Sequence, residues 1–171
     1  MVKLPTPEQF IRRAIEFGVK EAKLVSPKQV FTDEWVRWKC QYGCGGYGER
    51  LTCPPYSPTP RETRLMLDSY ELAILFHSLS EWEGLKDIVV KLEREAFLSG
   101  YYKAFSIGSG PCHLCEECSL DKGCKHPREA RPSMEACGID VFKTARAADY
   151  PIEVVRNHTC CQDYYALLLL K

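Results

Sequence analysis

A group of four closely spaced cysteines constrains this 171-residue chain more than any other feature of its sequence. The group has the pattern C-x2-C-x2-C-x5-C and consists of Cys112, Cys115, Cys118 and Cys124. Thiolates at this spacing, on a loop that Gly110 and Pro111 tighten, can occupy the corners of one cubane, as in proteins that hold a [4Fe-4S] cluster. Structural zinc more often takes its ligands from two separated pairs. The pattern therefore predicts an iron-sulfur site, with zinc or four packed thiols as the alternatives.

Cys124 is the member of this group whose role needs an argument. In bacterial two-cluster ferredoxins, the last cysteine of a similar run is followed by proline and binds the other cluster. Here two residues separate Cys124 from Pro127, and the five-residue spacer is long enough to return to the same cubane. We therefore assign Cys124 to the same cluster as the first three cysteines. Nearby basic residues would compensate an anionic cluster or simply form a solvated face; they are Lys122, Lys125, His126, Arg128 and Arg131.

Another group, of three cysteines, precedes the four-cysteine group in the chain. Cys40, Cys44 and Cys53 form C-x3-C-x8-C in a glycine-rich segment that ends at Pro54 and Pro55. Glycines permit close approach of the backbone to a bound group, and the prolines fix the chain after the last cysteine. Three cysteines predict a second iron-sulfur cluster with an open or borrowed fourth position, or a zinc site completed elsewhere. A structural loop without metal is the remaining alternative.

The fourth ligand of the three-cysteine group is not evident from spacing. Cys137 is the first candidate, although a cysteine on a helix is more often packed in a core. Cys160 and Cys161 are adjacent, so their side chains diverge and at most one is expected to reach a given metal. Further candidates are His126 and His158. The aromatic residues near this group would shield a cluster or line a pocket beside it; they are Trp38, Tyr42, Tyr47 and Tyr56.

Composition restricts the compartment and the partners. Lysine plus arginine number 23, as do aspartate plus glutamate, so the formal charge is zero, which argues against nucleic-acid or anionic-membrane binding. Residues 1–8 lack the features of a secretory signal, and the longest apolar run, 166–170, is too short to span a bilayer. We therefore expect a cytoplasmic protein, in which clustered cysteines bind metal more often than they form disulfides.

The chain alternates helix and strand signals. Capping boxes predict helices that start after Thr6 and after Thr59. Another helix is expected from residue 80 to Gly100, with short helical turns after Pro132 and Asp140. Extended chain is predicted for 23–38, and strands for 71–76, 101–107, 152–155 and 164–170. These elements predict a single α+β domain over 1–171, with a mixed β-sheet, flanking helices and two cysteine-rich metal-binding loops.

Three strings, residues 39–60, 110–124 and 130–142, are recognisable together. With them the chain resembles a domain-of-unknown-function family of predicted metal-binding proteins, found mostly in anaerobic archaea and bacteria. The resemblance runs from the first helix to the closing strand. It implies a cytoplasmic protein of an anaerobe with iron-sulfur content and no established reaction. The positions that match the family's motifs are Cys40, Cys44, Cys53, Cys112, Cys115, Cys118 and Cys124.

Three functions remain compatible with these residues. The first is an iron-sulfur protein with one or two [4Fe-4S] clusters that transfers electrons to a partner enzyme. The second is an enzyme in which a three-cysteine cluster leaves one iron open for Lewis-acid or sulfur chemistry. The third is a zinc-stabilised interaction module, with nucleic acid contacted through residues 122–131. The sequence alone leaves open whether the protein is an enzyme.

Overall fold

A four-stranded antiparallel sheet forms the centre of the computed structural model, which describes residues 4–79, 82–157, 160 and 162–171. Its strands are β1 (Glu21–Val25), β2 (Ala73–Ser78), β3 (Phe105–Ile107) and β4 (Tyr164–Leu169), in the order β1-β2-β4-β3. All three strand pairings are antiparallel, so the prediction of a mixed sheet is wrong in this respect. The α+β class is confirmed. The prediction of one domain over 1–171 stays a prediction.

Five α-helices accompany the sheet in the described part of the chain. They are α1 (Pro7–Glu16), α2 (Glu34–Gly43), α3 (Pro60–Leu67), α4 (Trp82–Leu98) and α5 (Val141–Ala147). Helices α1 and α3 begin with the predicted capping boxes, in which Gln9 and Glu62 bond back to the backbone N–H groups of Thr6 and Thr59. Shorter 3₁₀ turns occupy Pro27–Gln29 and Glu135–Cys137. No described helix is long and apolar enough to cross a membrane.

The sheet separates two hydrophobic cores. Alternate residues of a strand point to opposite faces, so Ile74 and Phe76 of β2 pack with α1 and α4, whereas Ala73 and Leu75 face the other side. The core on the side of Ala73 and Leu75 also contains Leu67 of α3 and Ala145 of α5. Apolar residues on both faces explain why the central strands β2 and β4 are buried along almost their whole length.

The segment 23–38 departs most from its predicted structure. Its aromatic and β-branched residues favour strands, yet a regular strand ends at Val25 and helix α2 begins at Glu34. The Asp33 carboxylate caps this helix by accepting a hydrogen bond from the Trp35 N–H at 3.3 Å. Residues 152–155 were also expected to form a strand, but they have no regular structure and only Ile152 is buried.

Candidate metal centres

The structure brings the four-cysteine group together around one small cavity, called the second site below. Cys112, Cys115, Cys118 and Cys124 all line this cavity, whose volume is about 20 Å³. The loop that carries them follows β3 and has no regular structure, which lets three thiols within a few residues face one centre. Arg50, Leu51 and Thr52, from the segment that carries the other cysteine group, close the cavity from the opposite side.

Backbone N–H groups point at the sulfurs of the second site. The Leu51 N–H donates to Cys118 Sγ and the His126 N–H donates to Cys124 Sγ, each at 3.4 Å. Arg50 Nη1 donates to the carbonyl oxygen of Cys115 at 3.2 Å. Donors directed at sulfur stabilise a thiolate and raise the reduction potential of a cluster bound to it. The second site is therefore prepared for anionic sulfur ligands.

The three-cysteine group lines a larger cavity, called the first site below, with a volume of about 340 Å³. Cys40 lies in the last turn of α2 and Cys44 caps that helix, so their spacing puts both on one helix face. Cys53 follows in a turn closed by its N–H bond to the Arg50 carbonyl at 2.9 Å. A Cβ atom on Gly46 would contact Cys44 Sγ at 3.6 Å and Cys53 Sγ at 3.9 Å, so glycine keeps the space beside both sulfurs open.

Burial controls the protonation of these thiols. It raises the pKa of Cys40 and of Cys53, and the neighbouring charge of Cys44 raises each further. The carboxylate of Glu135 adds to the effect on the pKa of Cys40. The thiols of Cys40 and Cys53 are therefore protonated at neutral pH in the metal-free protein, and binding of a metal to them must release protons.

Glu135 is a member of the first site that the sequence analysis missed. It lines the first site with the three cysteines, and it also lines an adjoining cavity of about 400 Å³ together with Cys40 and Cys44. Glu135 is exposed to solvent, and partial desolvation of its carboxyl group at the cavity wall raises its pKa. Hydrogen bonds from its own N–H and from Ser133 lower the pKa by less. The sequence held one signal for this role: Glu135 lies two residues before Cys137, so a helical turn there puts the two side chains on different faces.

Cys137, predicted as the fourth ligand, lies in the hydrophobic core instead. It is 2% exposed, packs with apolar residues such as Met134 and Ile139, and lines neither cavity. Burial raises the pKa of its thiol to about 12. A packed core cysteine has no access to the group that the first site would hold, so the position of Cys137 argues against that prediction.

The other predicted neighbours of the first site divide among several places. Tyr47 lines the first site, as do Tyr164 and Tyr165, which were not predicted. Trp38, Tyr42 and Tyr56 are exposed and do not line it. His126 belongs to the second site, and Cys160 lines neither cavity of the first. His158 and Cys161 lie outside the described residues.

The arrangement of the thiols bears on the kind of metal that the two sites could hold. Among the described residues, no three His, Cys, Asp or Glu side chains converge as ligands of one metal ion. In a [4Fe-4S] cluster each thiolate binds a different iron, so its ligands surround a larger body. Thiol donors also select soft centres such as iron-sulfur clusters and zinc over magnesium or calcium.

Comparison with known proteins supports metal binding. The family model described as predicted metal-binding protein (DUF2284) matches residues 23–170. The chain belongs to this family. No curated protein and no solved structure matches it. The matched residues include both cysteine groups, and membership in DUF2284 confirms the resemblance inferred from the motifs. The family description names no metal, so the kind of metal must be argued from the chemistry of the sites.

Proposed function

We propose that this DUF2284 protein binds two [4Fe-4S] clusters, one at each site, and transfers single electrons between them and a redox partner protein. The four cysteines of the second site and the three of the first site would hold the clusters. Bound there, the clusters would supply reversible one-electron chemistry. The protein's own contribution is to hold the thiolates, donate hydrogen bonds to them and fix the separation of the two sites.

The observation that carries this proposal is the chain segment shared by the two sites. The Leu51 N–H donates to Cys118 Sγ at 3.4 Å, and two residues later Cys53 lines the first site. A sulfur ligand of one site is therefore linked to a sulfur ligand of the other by one hydrogen bond and a short stretch of backbone. Two independent structural metals would not require this connection, whereas electron transfer favours closely spaced centres.

The test uses one ligand variant for each site. C118S is expected to lose the cluster of the second site, C44S that of the first, and each variant should keep about half of the iron and sulfide. The electron paramagnetic resonance spectrum of the reduced wild-type protein should show magnetic coupling between two clusters, and each variant should show one uncoupled cluster. C137A serves as the control because Cys137 lies in the core, and it should keep the wild-type spectrum.

Loss of all iron in either single variant would contradict independent sites, since it would mean that both groups hold one shared centre. Zinc in place of iron and sulfide in the wild-type protein would contradict the proposal altogether.

A second function is favoured by the cavity at the first site. A volume of about 340 Å³ faces the three cysteines and is bordered by Tyr47, Tyr164 and Tyr165, which leaves room for a small molecule beside the cluster. The protein would then be an enzyme that acts on a substrate at an exchangeable iron position. Added cyanide or a small thiol would perturb the spectrum of the wild-type protein and of C118S but not that of C44S. If neither reagent perturbs any spectrum, the electron carrier remains and the enzyme is excluded.

A further inference from the structure

Two carboxylates, those of Glu135 and Asp163, line the first site together with the three cysteines. Glu135 lines both cavities that Cys40 and Cys44 line, and Cys53 lines the first of these cavities with it. Its charge acts on the Cys40 thiol, as do the charges of Cys44 and Cys53. The carboxylate and the three sulfurs therefore surround one space.

Positive charges oppose the rise in thiol pKa at this site: Arg37 lowers the pKa of Cys40, and Arg50 and Lys86 lower that of Cys53. Glu135 itself is exposed to solvent and forms no ion pair with a described residue. Asp163, the other carboxylate that borders both cavities, accepts a hydrogen bond from the buried His77 Nε2 at 2.7 Å. A carboxylate that lines a cavity together with three thiols adds a fourth anionic donor, and such a donor set suits a metal centre.

The backbone around Glu135 is fixed from two directions. The Ser57 hydroxyl donates to the carbonyl oxygen of Ala136 at 2.6 Å, and the Asp33 N–H donates to that of Gly138 at 2.9 Å. Ser57 follows Cys53 in the chain, and Asp33 caps the helix that carries Cys40. The elements that position the cysteines thus also position the turn that carries Glu135, as a preorganised ligand requires.

We propose that Glu135 is the fourth protein ligand of the first site and binds, through its carboxylate, the iron that no described cysteine reaches. This inference rests on the proposed function, because it assumes an iron-sulfur cluster at the first site. A carboxylate is a harder ligand than a thiolate and binds iron of a sulfur cluster less firmly. Glu135 would therefore complete the ligand set of the first site and would be the ligand that a small molecule entering the cavity displaces most readily.

The test compares three variants of Glu135 reconstituted with ⁵⁷Fe. In the Mössbauer spectrum of the wild-type protein, one iron of the first cluster should differ from the others because it has an oxygen ligand. E135C should remove this difference by supplying a fourth thiolate. E135A and E135Q should release the distinct iron to ferricyanide severalfold faster than the wild-type protein, leaving a three-iron cluster.

Glu153 provides the matched control, since it lines only the adjoining cavity. E153Q should keep the wild-type spectrum and rate. The second cluster reports folding in every variant, and if E135A loses the first cluster, its recovery in E135C supports ligation. Identical spectra and rates in wild type, E135A and E135C would overturn the inference while leaving the two-cluster function intact. A wild-type protein without labile sulfide would instead overturn the function itself.

Discussion

At the scale of single residues, the environment of a cysteine decides whether it is a ligand or a core residue. Cys53 and Cys137 are both buried, but Cys53 lines the first site whereas Cys137 packs among apolar side chains. Burial raises the pKa of both thiols, and at Cys53 the positive charge of Lys86 opposes the effect. Sequence spacing distinguishes the clustered cysteines from the isolated one, but it does not reveal this difference in surroundings.

The buried thiol of Cys137 predicts a pH-dependent stability. Its pKa is about 12 in the folded protein and near 9 when unfolded, so its contribution is complete below pH 9 and is lost as the pH rises toward 12. At about pH 10.5 the wild-type protein should have lost roughly 2 kcal/mol more of its unfolding free energy than C137A, relative to neutral pH. Urea unfolding at the two pH values measures this. Tyr150 and Tyr165, whose pKa values burial also raises, are present in both proteins and cancel. Equal losses in the two proteins would refute the prediction.

Lys86 predicts an electrostatic effect on the clusters. Its side chain is 1% exposed, and its ammonium donates to the carbonyl oxygen of Pro111, which borders the first site and precedes Cys112 of the second. A buried positive charge stabilises the reduced, more negative cluster, so K86M should shift the reduction potential to more negative values. A redox titration followed by electron paramagnetic resonance measures the shift. K91M, on the exposed side of the same helix, should leave the potential unchanged; equal potentials for K86M and wild type would contradict the account.

At the scale of elements, the predictions succeeded where local signals dominate. The capping boxes placed the starts of α1 and α3 correctly, and the apolar run of β2 was recognised. Helix α2 was missed because its aromatic and β-branched residues favour strands, whereas the cap formed by Asp33 is a single-residue signal. Glu135 was missed because it reaches the first site from a segment distant in sequence, which only the fold brings close.

The turn that carries Glu135 depends on Gly138. This glycine has φ of +72°, and a Cβ atom there would lie 2.3 Å from Pro60 Cγ of α3. G138A should therefore reduce the unfolding free energy by about 2 to 4 kcal/mol, through left-handed backbone strain and overpacking. It should also lower the iron content of the first site because the turn moves. G43A is the control, since a Cβ atom on Gly43 meets nothing within 4 Å. Chemical denaturation of both variants tests this, and a loss at G138A no larger than that at G43A would disprove it.

At the scale of the whole molecule, the sheet provides one end at which both sites assemble. Strand β2 ends where β4 begins, since Ser78 pairs with Tyr164, and β3 runs toward the same end of the sheet and stops opposite Leu167. Tyr164 borders the first site, and the loop after β3 carries the second. Two cores on opposite faces of the sheet hold this end together without any metal. We expect the irregular cysteine-bearing loops, by contrast, to be stabilised by the metal centres that they are proposed to bind.

The decisive measurement for two iron-sulfur clusters is the content of iron, acid-labile sulfide and zinc in anaerobically purified wild-type protein. The expected protein is brown and contains iron and sulfide in equal amounts, equivalent to two four-iron clusters per chain, with no stoichiometric zinc. One or two equivalents of zinc per chain with no labile sulfide would contradict it.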